Sequence, residues 1–359
     1  MMGDVPPDTG DRDFADRAAR YDVVVVGAGI VGLGHAWEAY RRGLTVAVVD
    51  RAAGIHGASA RNFGHIAVTA QSGPALDYAE AGRATWKRLA VSADFALSSA
   101  GAIAVARSEA EYELLEGLHF ERGSRSAVLL SAHLVAESTP VIEQHIVGGA
   151  WLSRDLQVDS RTACARIAEW LAGCGVHFFW DTEVLEVEDG IVHTGRGDIA
   201  AGLIAVAINY AVDDLYPALP VWSDVNFCAV EVLAIRAPFE YELETPVLTG
   251  WSLAHGELFA QRPNGDLLVG ERPAVGGTAE PEERLLGTTR ELFGTGELIV
   301  RERWTGLCAR GGDDFFVHAP SDNVIVTSVV AASGMTTAFG FTASVMHEVY
   351  GRVRDSSLL

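Results

Sequence analysis

One short segment near the N-terminus restricts the fold of this chain more than any other. A continuous apolar run, Tyr21 to Val26, leads into the turn Gly27-Ala28-Gly29-Ile30-Val31-Gly32, which fits the pattern G-x-G-x-x-G. A helical stretch follows to about Arg42, and a second apolar run from Leu44 to Val49 ends at Asp50. This succession of strand, glycine turn, helix, strand and acid predicts a βαβ unit within an α/β fold.

The residue types of this unit indicate a dinucleotide site. Gly27 permits the tight turn, Gly29 allows the backbone to approach a pyrophosphate, and Gly32 allows the helix to pack close to the strand. The first turn of the helix would hold the pyrophosphate, because its free N–H groups and the helix dipole favour an anion. Asp50 would accept hydrogen bonds from ribose hydroxyls and would repel a 2′-phosphate, which argues against NADP. These residues alone leave NAD and FAD both open.

The remainder of the chain shows two kinds of hydrophobic pattern. Apolar runs typical of buried strands recur near 176–208 and 323–328, whereas 221–303 alternates in polarity and contains many prolines and turn sequences. With 359 residues the chain exceeds the usual size of one domain, so we expect a discontinuous nucleotide-binding domain and a second, antiparallel α+β domain. The expected segments are 21–75, 151–215 and 304–359 for the first domain, 76–150 and 216–303 for the second, and 1–20 for a disordered leader.

Charge and cysteine content exclude several classes of function. The net charge of −21 argues against nucleic acid or an anionic membrane as a partner, because both require a basic surface. The four cysteines are scattered and form no C-x-x-C pair, which leaves no metal motif and suits a reducing cytosol. No secretory signal or transmembrane span is expected. We therefore expect a cytoplasmic protein without a metal site.

Three further segments resemble one superfamily over nearly the whole chain from Tyr21. Gly57-Ala58-Ser59-Ala60-Arg61-Asn62-Phe63-Gly64 resembles the G-A-S-x-R-N-x-G segment of the D-amino-acid oxidase and glycine/sarcosine oxidase superfamily. Gly334 to Gly340 is similar to its closing flavin-binding turn, and Val158 to Ala207 to the part that completes its FAD domain. Ala60 to Gly64 together with Gly334 to Thr336 also resembles, more narrowly, a bacterial branch linked to aminophosphonate breakdown.

The resemblance implies FAD as the cofactor, bound in a Rossmann-type domain beside a substrate domain. In the superfamily the second glycine-containing segment runs beside the ribityl chain and the isoalloxazine, and the closing turn faces the N1/O2 edge of the flavin. Val184 would offer its backbone to the adenine. The residues implied to contact FAD are Gly27, Ala28, Gly29, Ile30, Val31, Gly32, Asp50, Arg51, Ser59, Ala60, Arg61, Asn62, Gly64, Val184, Gly334, Met335 and Thr336.

The resemblance also implies a reaction, although the sequence offers no sharp catalytic signature. A small-molecule amine, either an amino acid, an N-methyl amine or an aminophosphonate, would lose a hydride to flavin N5 and leave an imine that hydrolyses. Molecular oxygen or another electron acceptor would then reoxidise the flavin. An anionic substrate group favours an arginine partner. The candidates for positioning the substrate are Arg262, Arg272 and Arg310, together with His65, which follows the flavin segment directly.

Two features leave alternatives open. Cys308 lies near the position of the cysteinyl flavin link in monomeric sarcosine oxidases, so a covalent link is considered there, with His56 as a weaker candidate. The strand that ends at Ala207 runs into Ile208-Asn209, where the superfamily has a turn of small residues with glycine. This departure raises the alternative of a flavin-binding scaffold that has lost amine oxidation. An NAD-dependent dehydrogenase is a further alternative.

Overall fold

A computed structural model describes most of the chain. The described ranges are 20–217, 219, 226–237, 243–250, 256–271, 281–310, 314–330 and 333–356. Within them, the backbone alone is described at 210, 226–230, 271, 281, 307–310 and 351–356. The leader expected at 1–20, apart from Arg20, and the candidate Arg272 lie outside the described residues.

The described residues form nineteen strands and nine α-helices, numbered here in chain order. The strands are β1 Arg20–Val26, β2 Val46–Val49, β3 His65–Ile66, β4 Leu97–Ser98, β5 Ala102–Ala106, β6 Ala127–Ser131, β7 Gly148–Leu152, β8 Leu156–Val158, β9 His177–Phe179, β10 Val184–Glu188, β11 Ile191–Thr194, β12 Gly197–Val206, β13 Asn226–Arg236, β14 Val247–Leu248, β15 Glu257–Gln261, β16 Asp266–Glu271, β17 Val300–Arg310, β18 Phe315–Ser321 and β19 Val324–Val329. The helices are α1 Ile30–Arg41, α2 Gly57–Ala60, α3 Gly73–Ser92, α4 Glu109–Arg122, α5 Ala132–Ser138, α6 Ser160–Gly173, α7 Val212–Leu215, α8 Pro281–Phe293 and α9 Gly334–Ser356.

The first sheet carries the predicted βαβ unit. Its strands follow the order β10-β11-β12-β1-β2-β9, with β19 beside β12 and β18 beside β19. Strand β1 pairs in parallel with both β2 and β12, and β19 pairs in parallel with β12. The β-branched residues of β1 are buried on both faces of the sheet, which explains their unbroken apolar run. This arrangement confirms the predicted Rossmann-type half of the α/β fold.

Helices cover one face of the first sheet. Leu33 of α1, Trp86 of α3, Ile167 of α6 and Phe339 of α9 belong to one core cluster with Val23 and Val25 of β1. Asp159 caps α6 by accepting a hydrogen bond from the Thr162 backbone N–H at 2.8 Å. The closing helix α9 therefore packs beside the first helix of the nucleotide-binding unit, although the two are far apart in sequence.

The second sheet has eight described strands in the order β17-β13-β16-β15-β14-β5-β7-β6. Neighbouring strands are antiparallel except for β14 and β5, which are parallel. One face packs against α8, where Leu285 and Leu292 contact the cluster that contains Phe259 and Val269. Leu248 and Leu258 on the other face cluster with Phe63, which comes from the first domain. The second domain is therefore the predicted antiparallel α+β layer.

Two predicted domain boundaries need correction. Residues 304–310 were expected in the nucleotide-binding domain, but β17 pairs along its length with β13 in the second sheet. Residues 76–92 were expected in the second domain, but α3 buries Ala79, Trp86 and Leu89 in the core that it shares with α9. Both errors have the same cause. The strand that pairs with β17 and the helix that packs against α3 lie far away in the sequence, so no local pattern indicates these contacts.

Candidate functional site

The glycine turn between β1 and α1 has no room for side chains at two of its three glycines. A Cβ atom on Gly32 would lie 1.8 Å from the Gly27 carbonyl oxygen. Gly27 has a φ of +101°, and a Cβ there would lie 2.6 Å from the Ala207 carbonyl oxygen. Gly29 is the N-cap residue of α1. Because the three motif positions carry no side chain, nothing at these positions covers the backbone N–H groups of the first helical turn.

Asp50 and Ser59 are tied to the same turn. Asp50 is buried, and its Oδ2 accepts a hydrogen bond from the Ala28 N–H at 2.7 Å while its Oδ1 accepts one from the Ala52 N–H at 2.9 Å. The Ser59 hydroxyl oxygen accepts a hydrogen bond from the Ile30 N–H at 2.8 Å. Each carboxylate oxygen keeps a further lone pair that can accept from a ribose hydroxyl. The hydroxyl proton of Ser59 can still be donated to a ligand oxygen.

The segment from Gly57 to Gly64 is held by one of its own side chains. The Asn62 amide donates to the carbonyls of Ala58 and Ser59, both at 2.9 Å, and its oxygen accepts from the Gly64 N–H at 2.7 Å. Gly64 has a φ of +70°, and a Cβ there would lie 1.8 Å from the Val158 carbonyl oxygen. Asn62 therefore shapes the loop through its amide group, and Ala60 in the same segment is buried.

The closing turn contacts the chain that follows this segment. Gly334, Met335 and Thr336 open α9, and the Thr336 hydroxyl oxygen accepts a hydrogen bond from the Ala67 N–H at 3.0 Å. The Met335 carbonyl accepts one from the indole N–H of Trp86 at 2.8 Å. Two of the regions on which the resemblance was based are thus brought together by α3 and α9.

Val184 and Arg51 lie at the periphery of the Asp50 end. The Asp50 carbonyl accepts a hydrogen bond from the Thr182 N–H at 3.0 Å, so the chain passes Asp50 just before Val184 opens β10. Arg51 is exposed, and its guanidinium approaches the Asp214 carboxylate at 3.5 Å. Neither observation conflicts with the predicted adenosine end of the site.

The departure at Ile208 and Asn209 is accommodated by the backbone. Asn209 adopts a φ of +51°, a conformation that asparagine tolerates better than most residues, and its side-chain oxygen accepts a hydrogen bond from the Ser328 hydroxyl at 3.2 Å. Ile208 keeps a negative φ, and its Cγ2 would lie 3.0 Å from a Cβ on Gly27. The chain therefore turns at this point without glycine, and Ile208 borders the first glycine of the motif.

Among the arginines predicted to bind substrate, Arg262 already has partners within the protein. The Arg262 guanidinium lies 3.2 Å from the Glu302 carboxylate and 4.9 Å from the ring centroid of Trp304. The Trp304 indole N–H in turn donates to the Arg61 carbonyl at 3.0 Å. Arg262 thus already has an anionic partner and belongs to a contact between the two domains. Its predicted role as the arginine for an anionic substrate group has no support in this geometry.

Two other candidates are described by their backbone alone. Cys308 is in register with Cys228 of β13, and Arg310 is in register with Asn226. Both therefore lie on β17 in the second sheet, in the strand that also carries Trp304. The covalent link considered at Cys308 stays a hypothesis. His56, the weaker candidate for a link, has its Nδ1 3.7 Å from the Asp50 carboxylate.

His65 has a buried acidic partner that the sequence did not indicate. Its Nε2 lies 2.9 Å from Oδ2 of Asp155, and the two side chains are 5% and 0% exposed. The other Asp155 oxygen accepts a hydrogen bond from the Thr69 N–H at 2.8 Å. Asp155 and Trp86 contact candidate site residues, His65 and Met335, and sequence reasoning did not indicate either of them. Each acts through a long-range contact, and neither belongs to a motif that could have marked it.

Taken together, these residues fit FAD. A dinucleotide requires a glycine turn without side chains and an acid at the end of the second strand, and both are present. The Ser59 hydroxyl, which contacts the first residue of α1, adds a polar group beside the turn. The shaped segment from Gly57 to Gly64 and the α9 N-terminus add a second region for a larger cofactor. No cluster of three or more metal-binding side chains occurs among the described residues.

Comparisons with known proteins point to one family. The sequence profile of the family described as DAO, FAD dependent oxidoreductase, matches residues 22–346. Glycine oxidase of Bacillus licheniformis is 24% identical over 322 residues, which are 82% of this chain and 82% of that protein. The family match thus extends through the glycine turn and the middle segment and into the closing helix.

Solved structures share the fold. The crystal structure of glycine oxidase from Geobacillus kaustophilus superposes with a TM-score of 0.78 at 21% identity, covering 93% of this chain and 95% of that one. L-proline dehydrogenase from P. horikoshii superposes with a TM-score of 0.76 at 16% identity, covering 90% and 91% of the two chains. Within the described part of the chain, every helix is too short or too polar to span a bilayer.

Proposed function

The chain belongs to the DAO family of FAD-dependent oxidoreductases, and from this membership we propose that it oxidises the C–N bond of a small amine. It is an enzyme with FAD as its cofactor, which removes NAD from the alternatives left open by the glycine motif. Two relatives, from Bacillus licheniformis and Geobacillus kaustophilus, are glycine oxidases, which supports an amino-acid or amine oxidase of this general type.

The residues around the glycine turn would bind the two ends of the nucleotide part of FAD. The first turn of α1 would hold the pyrophosphate, since the N–H groups there lack helical partners and the dipole favours an anion. Asp50, fixed by the Ala28 and Ala52 N–H groups, would accept from the adenosine ribose. The Ser59 hydroxyl, which already caps Ile30, would lie beside the phosphates.

The second set of residues would position the flavin ring. The Asn62 amide holds the segment that ends at Gly64, and Thr336 ties that region to the start of α9. The α9 N–H groups would favour negative charge at the ring edge that they face. When bound, FAD supplies the capacity to accept a hydride from the carbon beside the amine nitrogen. The protein has to orient that C–H bond and exclude water.

For the substrate we propose a small amino acid, an N-methyl amine or an aminophosphonate. The observation that carries the proposal is the family match over 22–346, combined with intact geometry at the glycine turn and at Asp50. The imine product would hydrolyse, and oxygen or another acceptor would reoxidise the flavin. The turn at Asn209 leaves the glycine cradle intact, which supports FAD binding, and flavin reduction distinguishes the enzyme from the scaffold alternative.

The test is anaerobic reduction of the bound flavin. Purified holoprotein is mixed with glycine, sarcosine, proline and an aminophosphonate, and loss of the oxidised flavin absorbance is followed. Bleaching by at least one of these amines at a saturable rate is expected. A yellow holoprotein that none of them reduces would instead favour the scaffold. Turnover under air with release of hydrogen peroxide would identify oxygen as the acceptor.

A further inference from the structure

Four polar residues gather where β3 meets β8, and we refer to His65, Thr69, Asp155 and Gln157 as the His65 junction. His65 and Gln157 are in register across the antiparallel pair of β3 and β8. Asp155 precedes β8 and bonds both the His65 ring and the Thr69 backbone. Within the junction, His65 directly follows Gly64, where the proposed flavin segment ends. Ala67, whose N–H donates to the Thr336 hydroxyl, lies two residues further along the chain.

The Asp155 carboxylate selects which nitrogen carries the proton when the His65 ring is neutral. An ionised carboxylate can only accept hydrogen bonds, so the His65 Nε2 that lies 2.9 Å from Asp155 carries a proton. In the neutral ring, Nδ1 is then the atom with the free lone pair. Asp155 is fully buried and its second oxygen is held by Thr69, so the carboxylate is fixed in place. Such a pair resembles the base and orienting acid of a catalytic dyad.

Gln157 leaves an acceptor without a donor. Its amide nitrogen donates to the carbonyls of Phe63 at 2.6 Å and Val158 at 3.1 Å, which fixes the orientation of the amide group. Its Oε1 is buried and has no hydrogen-bond partner among the described residues, and the same holds for Oγ1 of Thr69. A buried acceptor that lacks a donor costs about 1–3 kcal/mol. A donor from outside the described chain would remove this cost at Gln157.

The position of the junction favours a ligand from the interface between the domains. Ile66 is fully buried in the core of the first domain, and successive side chains of a strand point to opposite sides. His65 therefore lies on the opposite side of β3. The residues that flank the junction there, Phe63 and Ala70, pack with Leu248 and Leu258 of the second sheet.

We propose that the His65 junction binds the amine end of the substrate, and that His65 Nδ1 accepts the proton of its ammonium group. This inference rests on the proposed function. A protonated amine has only donors, which matches the acceptors at His65 and Gln157. The N–H bond breaks toward Nδ1, the nitrogen keeps its electron pair, and the ring becomes an imidazolium beside Asp155. The neutral amine, with its electron pair free, would be the form able to give up a hydride when FAD is bound.

The charged groups around His65 support this role. Asp155 faces the ring from the start of β8 and would stabilise the imidazolium by its charge. From α3, the Arg83 Nε–H donates to the Arg154 carbonyl at 2.8 Å, beside Asp155 in the chain. Burial and the nearby Arg154 guanidinium lower the pKa of Arg83, which nevertheless stays cationic. From α9, the Thr336 side chain that accepts the Ala67 N–H just after β3 is uncharged.

The first test compares the pH dependence of flavin reduction in wild type, His65→Gln and Asp155→Asn. An exposed histidine on α5, changed in His133→Gln, serves as the matched control. At neutral pH we expect about a 100-fold slower reduction in His65→Gln, since general bases contribute 10²–10⁴-fold. The loss should disappear as pH rises and the free amine deprotonates itself. A profile that keeps the wild-type shape in His65→Gln and Asp155→Asn would overturn the inference.

The second test does not depend on turnover. FAD-loaded protein is titrated with 2-aminoisobutyrate, whose carbon beside nitrogen has no hydrogen to transfer, and imidazole signals are followed by NMR. The His65 signal, assigned by its absence in His65→Gln, should shift on binding, and FAD affinity should match wild type in that variant. An unmoved signal at saturation contradicts the inference. Failure of every oxidisable amine to reduce the wild-type flavin would contradict the proposed function instead.

Discussion

The indole N–H of Trp86 donates to the carbonyl of Met335 at 2.8 Å, joining α3 to the first turn of α9. Trp86 is fully buried and packs edge-on against Phe339 of the same helix, with ring centroids 5.1 Å apart. Met335 belongs to the turn proposed to face the flavin. A side chain in a helix that was expected to serve the second domain therefore holds a part of the proposed cofactor site.

Replacing Trp86 by phenylalanine should weaken both the fold and FAD binding. The Met335 carbonyl would lose a buried donor, which costs about 1–3 kcal/mol. Trp37→Phe is the control, because Trp37 is also buried but its Nε1 has no partner among the described residues. Urea unfolding and FAD fluorescence quenching should show the larger loss in Trp86→Phe. Equal losses in the two variants would mean that the hydrogen bond is unimportant.

Gly32→Ala should abolish FAD binding. The new Cβ would lie 1.8 Å from the Gly27 carbonyl oxygen, so the glycine turn must open or the helix must move. The matched control is Gly54→Ala, because a Cβ at Gly54 meets no atom within 4 Å and its φ is not positive. We expect no yellow holoprotein from Gly32→Ala and normal FAD content in the control. Wild-type FAD affinity in Gly32→Ala would refute the proposed cradle.

Asn209 should tolerate glycine better than alanine. Its φ of +51° strains a residue with an ordinary Cβ, whereas glycine adopts this region freely. Asn209→Ala should lower the free energy of unfolding by about 1 kcal/mol more than Asn209→Gly. Both variants lose the hydrogen bond from Ser328, so the difference between them isolates the backbone effect. Denaturant midpoints in the reverse order would show that the turn adopts another conformation.

Cys164 should be inert in the folded protein. Burial raises the pKa of its thiol to about 12, with a smaller contribution from Asp159, so the reactive thiolate is absent at neutral pH. Cys174 is only partly buried and serves as an internal comparison. After iodoacetamide treatment at pH 8, mass spectrometry of peptides should find Cys174 modified and Cys164 unmodified. Modification of Cys164 before unfolding would contradict its placement in the core.

His35 should make stability depend on pH. Full burial lowers its pKa to about 3, below the usual value of 6.5, so the folded protein holds the ring neutral. The unfolded chain binds a proton below pH 6.5, and the stability present above that pH is lost as pH falls toward 3. Its contribution approaches about 1.4 kcal/mol per pH unit in that window. The slope between pH 6 and pH 4 should be smaller in His35→Gln than in wild type.

Covalent attachment of the flavin can be decided by acid precipitation. If Cys308 forms no link, yellow colour is released into the supernatant and Cys308→Ala keeps a normal FAD content. Colour retained in the pellet of wild type and lost from the pellet of Cys308→Ala would establish the link. The same experiment on His56→Gln tests the weaker candidate.

Local sequence patterns were sufficient to predict the glycine cradle and its acid. Gly27, Gly32 and Asp50 act on neighbours within one βαβ unit, so the spacing of residue types fixes their geometry. Helix caps such as Asp159 could be predicted for the same reason, because a cap and the N–H that it accepts lie within one turn. The fold class followed from the contrast between continuous and alternating apolar runs.

Contacts between residues far apart in the sequence could not be predicted and depend on how the domains fold. Three such contacts depend on how the sheets and helices pack. They join Asp155 to His65, Trp86 to Met335 and Glu302 to Arg262. No local pattern encodes such a contact. Each residue is compatible with its own strand, helix or turn whether or not the distant partner is present. The proposed cofactor site therefore follows from short-range chemistry, whereas the proposed role of His65 exists only because two remote strands pair.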